Sequence, residues 1–147
     1  IGSEKAIPPL IKALEDEKSW VRENAAESLG KIGSEVILEH LMQCFQNEED
    51  PHVKDSLLVG IGKIKFSKVL PFIEEMLESG RIEKMKRALR ILGKIGCDDV
   101  IDVLVVPYLF CDSVGLQMAA VDALSEIGSE KALKYLENVN ITVIENS

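Results

Sequence analysis

The sequence is poor in the residues that most catalytic and metal-binding sites use. It has two histidines, His40 and His52, and three cysteines, Cys44, Cys97 and Cys111. Neither histidine has a second one at i+3 or i+4. No cysteine forms a C-x-x-C pair, so no metal-ligand spacing is present. No Gly-rich phosphate loop lies between a strand and a helix, and no Ser/His/Asp set has supporting spacing. The expectation is therefore no catalytic residue, no metal and no cofactor. Three scattered cysteines suit buried small hydrophobes in a reducing compartment, which predicts a cytoplasmic protein. Long apolar runs are missing as well. The longest, Val103 to Cys111, falls short of the ~20 residues a spanning helix needs and contains Pro107. Basic charge is in deficit, with 17 Lys and Arg against 25 Asp and Glu and a net charge of −8. Such a chain is repelled by phosphate backbones and anionic lipid, which argues against nucleic-acid and membrane partners. The sequence begins without Met, and no signal peptide is expected. Ile1-Gly2 matches the end of a repeating unit, so the sequence is expected to be a piece of a longer repeat protein or to lack an N-terminal stretch.

What is present is repetition. Ile1-Gly2-Ser3-Glu4 returns as Ile32-Gly33-Ser34-Glu35, as Ile95-Gly96-Cys97-Asp98 and as Ile127-Gly128-Ser129-Glu130, with a weaker copy at Ile64-Lys65-Phe66-Ser67. The period is about 31 or 32 residues, the signature of a stacked array rather than a globule around one active site. Hydrophobic residues make up 46% of the 147, enough for a continuous core.

Within the first copy, Ser3 is a candidate N-cap, and Ile7, Leu10, Ile11 and Leu14 form one apolar helical stripe. Pro8 and Pro9 bend that helix or mark where it starts. Asp16 to Lys18 reads as a turn, Ser19 as the cap of a second helix, and Gly33 as its left-handed C-cap. The second stripe is Val21, Ala25, Leu29 and Ile32. Later copies keep both stripes: Leu38, Leu41, Met42 and Phe45, then Val53, Leu57, Ile61 and Ile64, and so on to Leu116, Ala120, Leu124 and Ile127. Asp50-Pro51 and Asp112 or Ser113 start second helices, and Ser79-Gly80 ends a first helix. Glu48-Glu49-Asp50 reads as a solvated turn. Only Ile141 to Ile144 alternates like a strand, as an extended tail or a frayed helix start. Each pair of helices buries its stripes against the next, each large aliphatic side chain contributing roughly 1.5–3 kcal/mol before entropy. The predicted fold is an all-α, right-handed α-α superhelix of about four and a half two-helix repeats. As one domain it divides into 1–31, 32–63, 64–94, 95–126 and a partial 127–147.

The segment Ala6 to Gly33 resembles the HEAT-like repeats of phycobilisome-lyase type. It carries the I-P-x-L helix, Asp16 at the turn, Val21-Arg22, Ala25-Ala26, then Leu29-Gly30-x-Ile32-Gly33. Later copies fit less closely: Lys54, Met85 and Gln117 stand at the arginine position, and Pro107 interrupts a first helix. The resemblance covers nearly the whole chain. It implies an α solenoid used as an interaction scaffold or, in a few members, as an enzyme subunit such as a phycobilin lyase working as a paired chain on pigment proteins. It also implies that Asp16 and Arg22 brace neighbouring units. Another HEAT-repeat enzyme class, the deoxyhypusine hydroxylases, holds a di-iron centre with His-Glu pairs. Neither histidine here is followed by Glu, and Glu39-His40 runs in the reverse order on what reads as a solvated face. That enzyme reading fails.

In arrays of this kind the second helices line the concave side, so their outward positions are the candidate contacts. Glu23, Glu27 and Asp55 make the first part acidic. The third repeat reverses sign with Lys86, Arg87, Arg90 and Lys94, three of them at i, i+4, i+8 on one face. Asn24, Lys31, Ser56, Val59, Lys63, Met118, Ala119, Asp122 and Glu126 occupy the equivalent outward positions elsewhere. Trp20 is expected to pack between repeats rather than to serve as an exposed anchor. The expected function is a non-enzymatic scaffold or adaptor that binds a partner protein, with the basic stripe docking an acidic segment. The alternatives are a lyase-like enzyme subunit and nucleic-acid binding through the third repeat.

Overall fold

The computed structural model describes residues 4–145, with side chains described for residues 4–139. Every regular element among these residues is helical. The chain forms two compact units, Ile1–Pro71 and Phe72–Ser147.

The first unit contains α1 (Ile7–Ala13), α2 (Ser19–Ile32), α3 (Leu38–Asn47) and α4 (Pro51–Ile64). Pro8 and Pro9 fall in the first turn of α1, where backbone N–H groups have no intrahelical partner, so they start the helix without bending it. Asp50 caps α4 by accepting from the backbone N–H groups of His52 (2.8 Å) and Val53 (3.3 Å), with Pro51 as the first helical residue. The cap of α2 differs from the sequence expectation. Lys18, not Ser19, is the N-cap and offers no side-chain acceptor; the Asp16 carboxylate instead accepts the Lys18 N–H at 2.9 Å. Ser3 lies outside the described residues.

α2 packs on α4 most extensively, and α1 and α3 each cover their own second helix. The close approach has a specific cause. A Cβ built on Gly30 would stand 2.6 Å from the Gly60 Cα, and one on Gly60 would stand 2.7 Å from the Ala26 carbonyl oxygen. Backbone therefore meets backbone, and the fully buried Ala26, Leu29, Leu41, Val53, Leu57 and Ile61 close around that contact.

The second unit holds most of α5 (Leu70–Glu78), then α6 (Ile82–Ile95), α7 (Val106–Leu109), α8 (Val114–Ile127) and α9 (Glu130–Glu145). Ser79 and Gly80 end α5 as expected: the Ser79 hydroxyl donates to the Met76 carbonyl (2.7 Å), and Gly80 takes a positive φ of 69°. Of the two candidate caps for α8 it is Ser113 that acts, accepting from the Leu116 N–H. Here α6 and α8 repeat the α2–α4 arrangement, with a Cβ on Gly93 only 2.9 Å from the Ala123 Cα. Ile91, Leu92, Ile101, Ala120 and Leu124 are buried in this core.

The recurrent Ile-Gly-Ser-Glu pattern is the joint between repeats. Gly33, Gly96 and Gly128 cap α2, α6 and α8 with φ of 73°, 76° and 63°, a region that L side chains rarely enter. Lys65 replaces the glycine after α4. There the chain leaves in an extended conformation (φ −152°, ψ 96°). Three-residue 3-10 turns follow each of these first three joints: Glu35–Ile37, Phe66–Lys68 and Asp98–Val100. The sequence stripes did not signal them.

Two further differences stand out. The segment around Pro107 is rearranged rather than broken: Ile101–Val105 is π-helical, and the Val106 N–H reaches back to the Ile101 carbonyl. Pro107 has no N–H to continue an α-helical ladder, and the wider turn absorbs that loss. Residues 141–144 are neither extended nor the start of a new helix; they complete α9.

Candidate functional site

The second helices of the second unit, α6 and α8, border an open groove of about 820 Å³. Lys86 and Arg90 form its α6 side, and Met118, Asp122 and Glu126 its α8 side. Small residues floor it because the Gly93–Ala123 contact draws the two helices together. Lys86 runs across α8 at Gly115, where a Cβ would lie 2.9 Å from the Lys86 Cε. Its Nζ is 3.3 Å from the exposed Glu83 carboxylate, a contact of the weak surface kind. Lys94, one turn beyond Arg90, is exposed, and Arg87 is half-buried. Of the basic stripe named from sequence, then, the structure brings Lys86 and Arg90 to one groove.

Glu23, Glu27 and Asp55 belong to the first unit, on α2 and α4. Glu27 is exposed and pairs with Lys31 at 3.0 Å, while Glu23 and Asp55 are half-buried. Val59, expected to face outward, is buried. Trp20 departs from expectation in the other direction: its side chain is 60% exposed at the start of α2 instead of packed between repeats.

The turn residues also need correction. Arg22 does brace the structure, but its carboxylate partner is Glu48, not Asp16. Arg22 Nε and Nη2 donate to the two Glu48 oxygens at 3.0 and 3.1 Å, and Nη1 donates to the backbone carbonyls of Asp16 (2.8 Å) and Glu17 (3.1 Å). Glu48 also accepts the backbone N–H groups of Glu49 and Asp50. It is therefore an anchored group, with only 10% of its side chain exposed, and not part of a solvated turn. Burial is the largest single influence and works to raise its pKa. The Arg22 hydrogen bond, the Asp50 and Glu49 N–H groups and the Arg22 charge outweigh it, leaving the carboxyl below its ordinary range. A signal for this pair was present: Glu48 stands one period after Asp16, at the same turn position.

Gln117, which replaces the arginine in the fourth repeat, keeps half of that role. Its Nε2 donates to the Cys111 carbonyl six residues back (2.6 Å), as Arg22 does to Asp16. Lys54, at the same position in the second repeat, lies over the Phe45 ring at 5.6 Å. A second cluster joins the π-helical segment to α9. Asp102 accepts from Lys131 Nζ at 2.6 Å and from the Tyr135 hydroxyl, and the Lys131 bond, then that of Tyr135, lowers its pKa.

All three cysteines are half-buried, unpaired thiols, less enclosed than expected. Burial, then the charges of Glu15 and Glu48, pushes the Cys44 thiol up, away from a reactive thiolate. His52 is exposed. His40 is half-buried, its Nε2 enclosed without a hydrogen-bond partner, which corrects its expected place on a solvated face. Among the described residues no helix is long and apolar enough to cross a membrane.

Paired helices with glycine-capped joints, stacked at backbone contact, define a helical-repeat protein of the α-solenoid class. The chain belongs to the HEAT-repeat family, whose pattern matches residues 1–62 and 69–140. It is 27% identical over 144 residues to the phycocyanobilin lyase subunit alpha of a Nostoc species, a match covering 85% of this chain and 51% of that protein. It is also 38% identical over 65 residues to a deoxyhypusine hydroxylase of Phaeosphaeria nodorum, covering 43% of this chain and 20% of that enzyme. The chain thus spans between a fifth and a half of these relatives' lengths. Among solved structures it is similar to an engineered protein, at 20% identity and a TM-score of 0.42, over 91% of this chain and 68% of that one.

Proposed function

We propose that the chain is a non-enzymatic protein-interaction module, a cytoplasmic scaffold or adaptor whose repeats form one domain. The partner docks on the face of the second helices. Lys86, Arg87, Arg90 and Lys94 receive an acidic segment, and Glu23, Glu27 and Asp55 contribute contacts from the first repeats. The observation that supports this most is the groove beside α6: two of the four basic residues line an open, pre-shaped concavity on rigid helices, so little ordering is required on binding. Unpaired thiols fit a reducing setting, and the net charge of −8 disfavours nucleic acid and anionic membranes. The test is partner capture from source lysate by the wild-type chain and by the Lys86→Glu/Arg90→Glu/Lys94→Glu variant at two salt concentrations. A loss of tenfold or more that shrinks at high salt is expected. Undiminished capture removes the stripe from the interaction.

The similarity to a phycocyanobilin lyase subunit along 144 residues favours one second reading, a lyase-like enzyme subunit. Its test is the visible absorption of the chain mixed with phycocyanobilin. A shifted, retained chromophore band supports it, and a colourless protein after gel filtration rejects it.

A further inference from the structure

The groove between α6 and α8 carries opposite charge on its two sides. α6 presents Lys86 and Arg90, with Lys94 one turn on, and α8 presents Asp122 and Glu126. The repeat register sets Arg90 level with Asp122 and Lys94 level with Glu126, one repeat apart. Asp122 and Glu126 are exposed, and neither has an ion-pair partner among the described residues. A uniformly acidic segment laid in the groove would meet these two carboxylates as well as the cations and would be repelled by them. A uniformly basic one would meet the reverse conflict.

Resting on the interaction reading above, we infer that this groove takes an extended segment of a partner protein in which acidic and basic residues alternate. The chemistry and the dimensions agree. In an extended chain successive side chains point to opposite sides, so an alternating sequence sends every carboxylate to α6 and every cation to α8. Side chains on the same side repeat every ~6.7 Å along such a strand. Residues four apart on a helix repeat every ~6 Å along its axis. Lys86, Arg90 and Lys94 on one helix, and Asp122 and Glu126 on the other, are spaced four apart. Eight residues of helix, ~12 Å, therefore span nearly the same length as four residues of strand, ~13 Å. The low floor at Ala119 and Ala123 leaves room for the segment's backbone, and the exposed Met118 offers an adaptable apolar contact at one end. Lys86 reaches over α8 at Gly115 at the border of the groove, and its weak tie to the exposed Glu83 yields to an incoming carboxylate.

The experiment is a 15N-detected NMR titration of the chain with four end-capped hexapeptides: Glu-Lys-Glu-Lys-Glu-Lys, its block isomer Glu-Glu-Glu-Lys-Lys-Lys, hexaglutamate and hexalysine. The alternating peptide should bind at least fivefold more tightly than its block isomer and shift the amides of Met118, Asp122 and Ser125. Asp122→Lys/Glu126→Lys should transfer that preference to hexaglutamate. If hexaglutamate binds the wild-type chain as tightly as the alternating peptide, or if the block isomer does, the inference fails and the acidic-segment reading stands. If no peptide shifts the groove, the inference also fails. The partner-capture result for the α6 reversal then decides the reading above separately. Shifts at these amides on concentrating the protein alone would assign the groove to a second copy of the chain and overturn the inference.

Discussion

Arg22 and Glu48 show how single residues hold one repeat's turn to the next. The arginine's planar fork suits a carboxylate and two carbonyls at once, which a lysine's point charge does not. That explains why Lys54 and Gln117 at the same position do different work: one covers an aromatic ring, the other keeps only the carbonyl bond. Because the folded-state pKa of Glu48 is depressed, the stability it contributes is present above its unfolded value of about 4.3. It is lost as pH falls through the lower folded value. Glu48→Gln should therefore cost about 1–2 kcal/mol at pH 7. In urea unfolding the difference from wild type should shrink steadily below about pH 4. A pH-independent difference would place the effect in packing. Legibility at this scale was uneven. Asp50, Gly33 and Ser113 act as their sequence contexts imply, since a cap is a local interaction. Glu48 looked like one more acid in a charged turn because its partner lies 26 residues away.

At the scale of elements, the helix pairs were legible from periodicity because burial of one face is what the stripe encodes. The 3-10 turns and the π-helical segment were not, since they leave the apolar pattern almost unchanged and depend on backbone bonds. The closest helix contacts were also hidden, although Gly30, Gly60 and Gly93 were visible as helical glycines. Alanine usually stabilises a helix interior by about 1 kcal/mol over glycine. At Gly60 the sign should reverse, because the new Cβ would press on the Ala26 carbonyl oxygen at 2.7 Å and force α2 and α4 apart. Gly60→Ala is expected to destabilise by about 1–3 kcal/mol. Gly115→Ala meets only the flexible end of Lys86 and should be neutral or stabilising by up to about 1 kcal/mol. Thermal melts of the two variants, side by side, check the distinction. Equal shifts would mean that the α2–α4 contact relaxes at no cost.

For the molecule as a whole, the net charge of −8 and the local basic stripe set two fields of opposite sign and different reach. The sequence made both visible and its register aligned Arg90 with Asp122, while the structure shows the groove that Lys86 and Arg90 border with Asp122 and Glu126. Reach decides which field a binding partner feels. At ~0.01 M salt the screening length is ~30 Å, so an approaching anion senses the whole acidic chain. At ~0.15 M it is ~8 Å, and the groove's own charges dominate the last approach. Stopped-flow association of hexaglutamate should therefore quicken as salt rises from ~0.01 to ~0.15 M and slow again toward ~1 M, where the local attraction is screened too. The alternating peptide has no net charge, so its association rate should stay within about twofold over the same range. A hexaglutamate rate that falls steadily from the lowest salt upward would mean that the basic stripe steers anions from beyond the chain's overall repulsion. The acidic wall would then be too weak a feature to select an alternating partner.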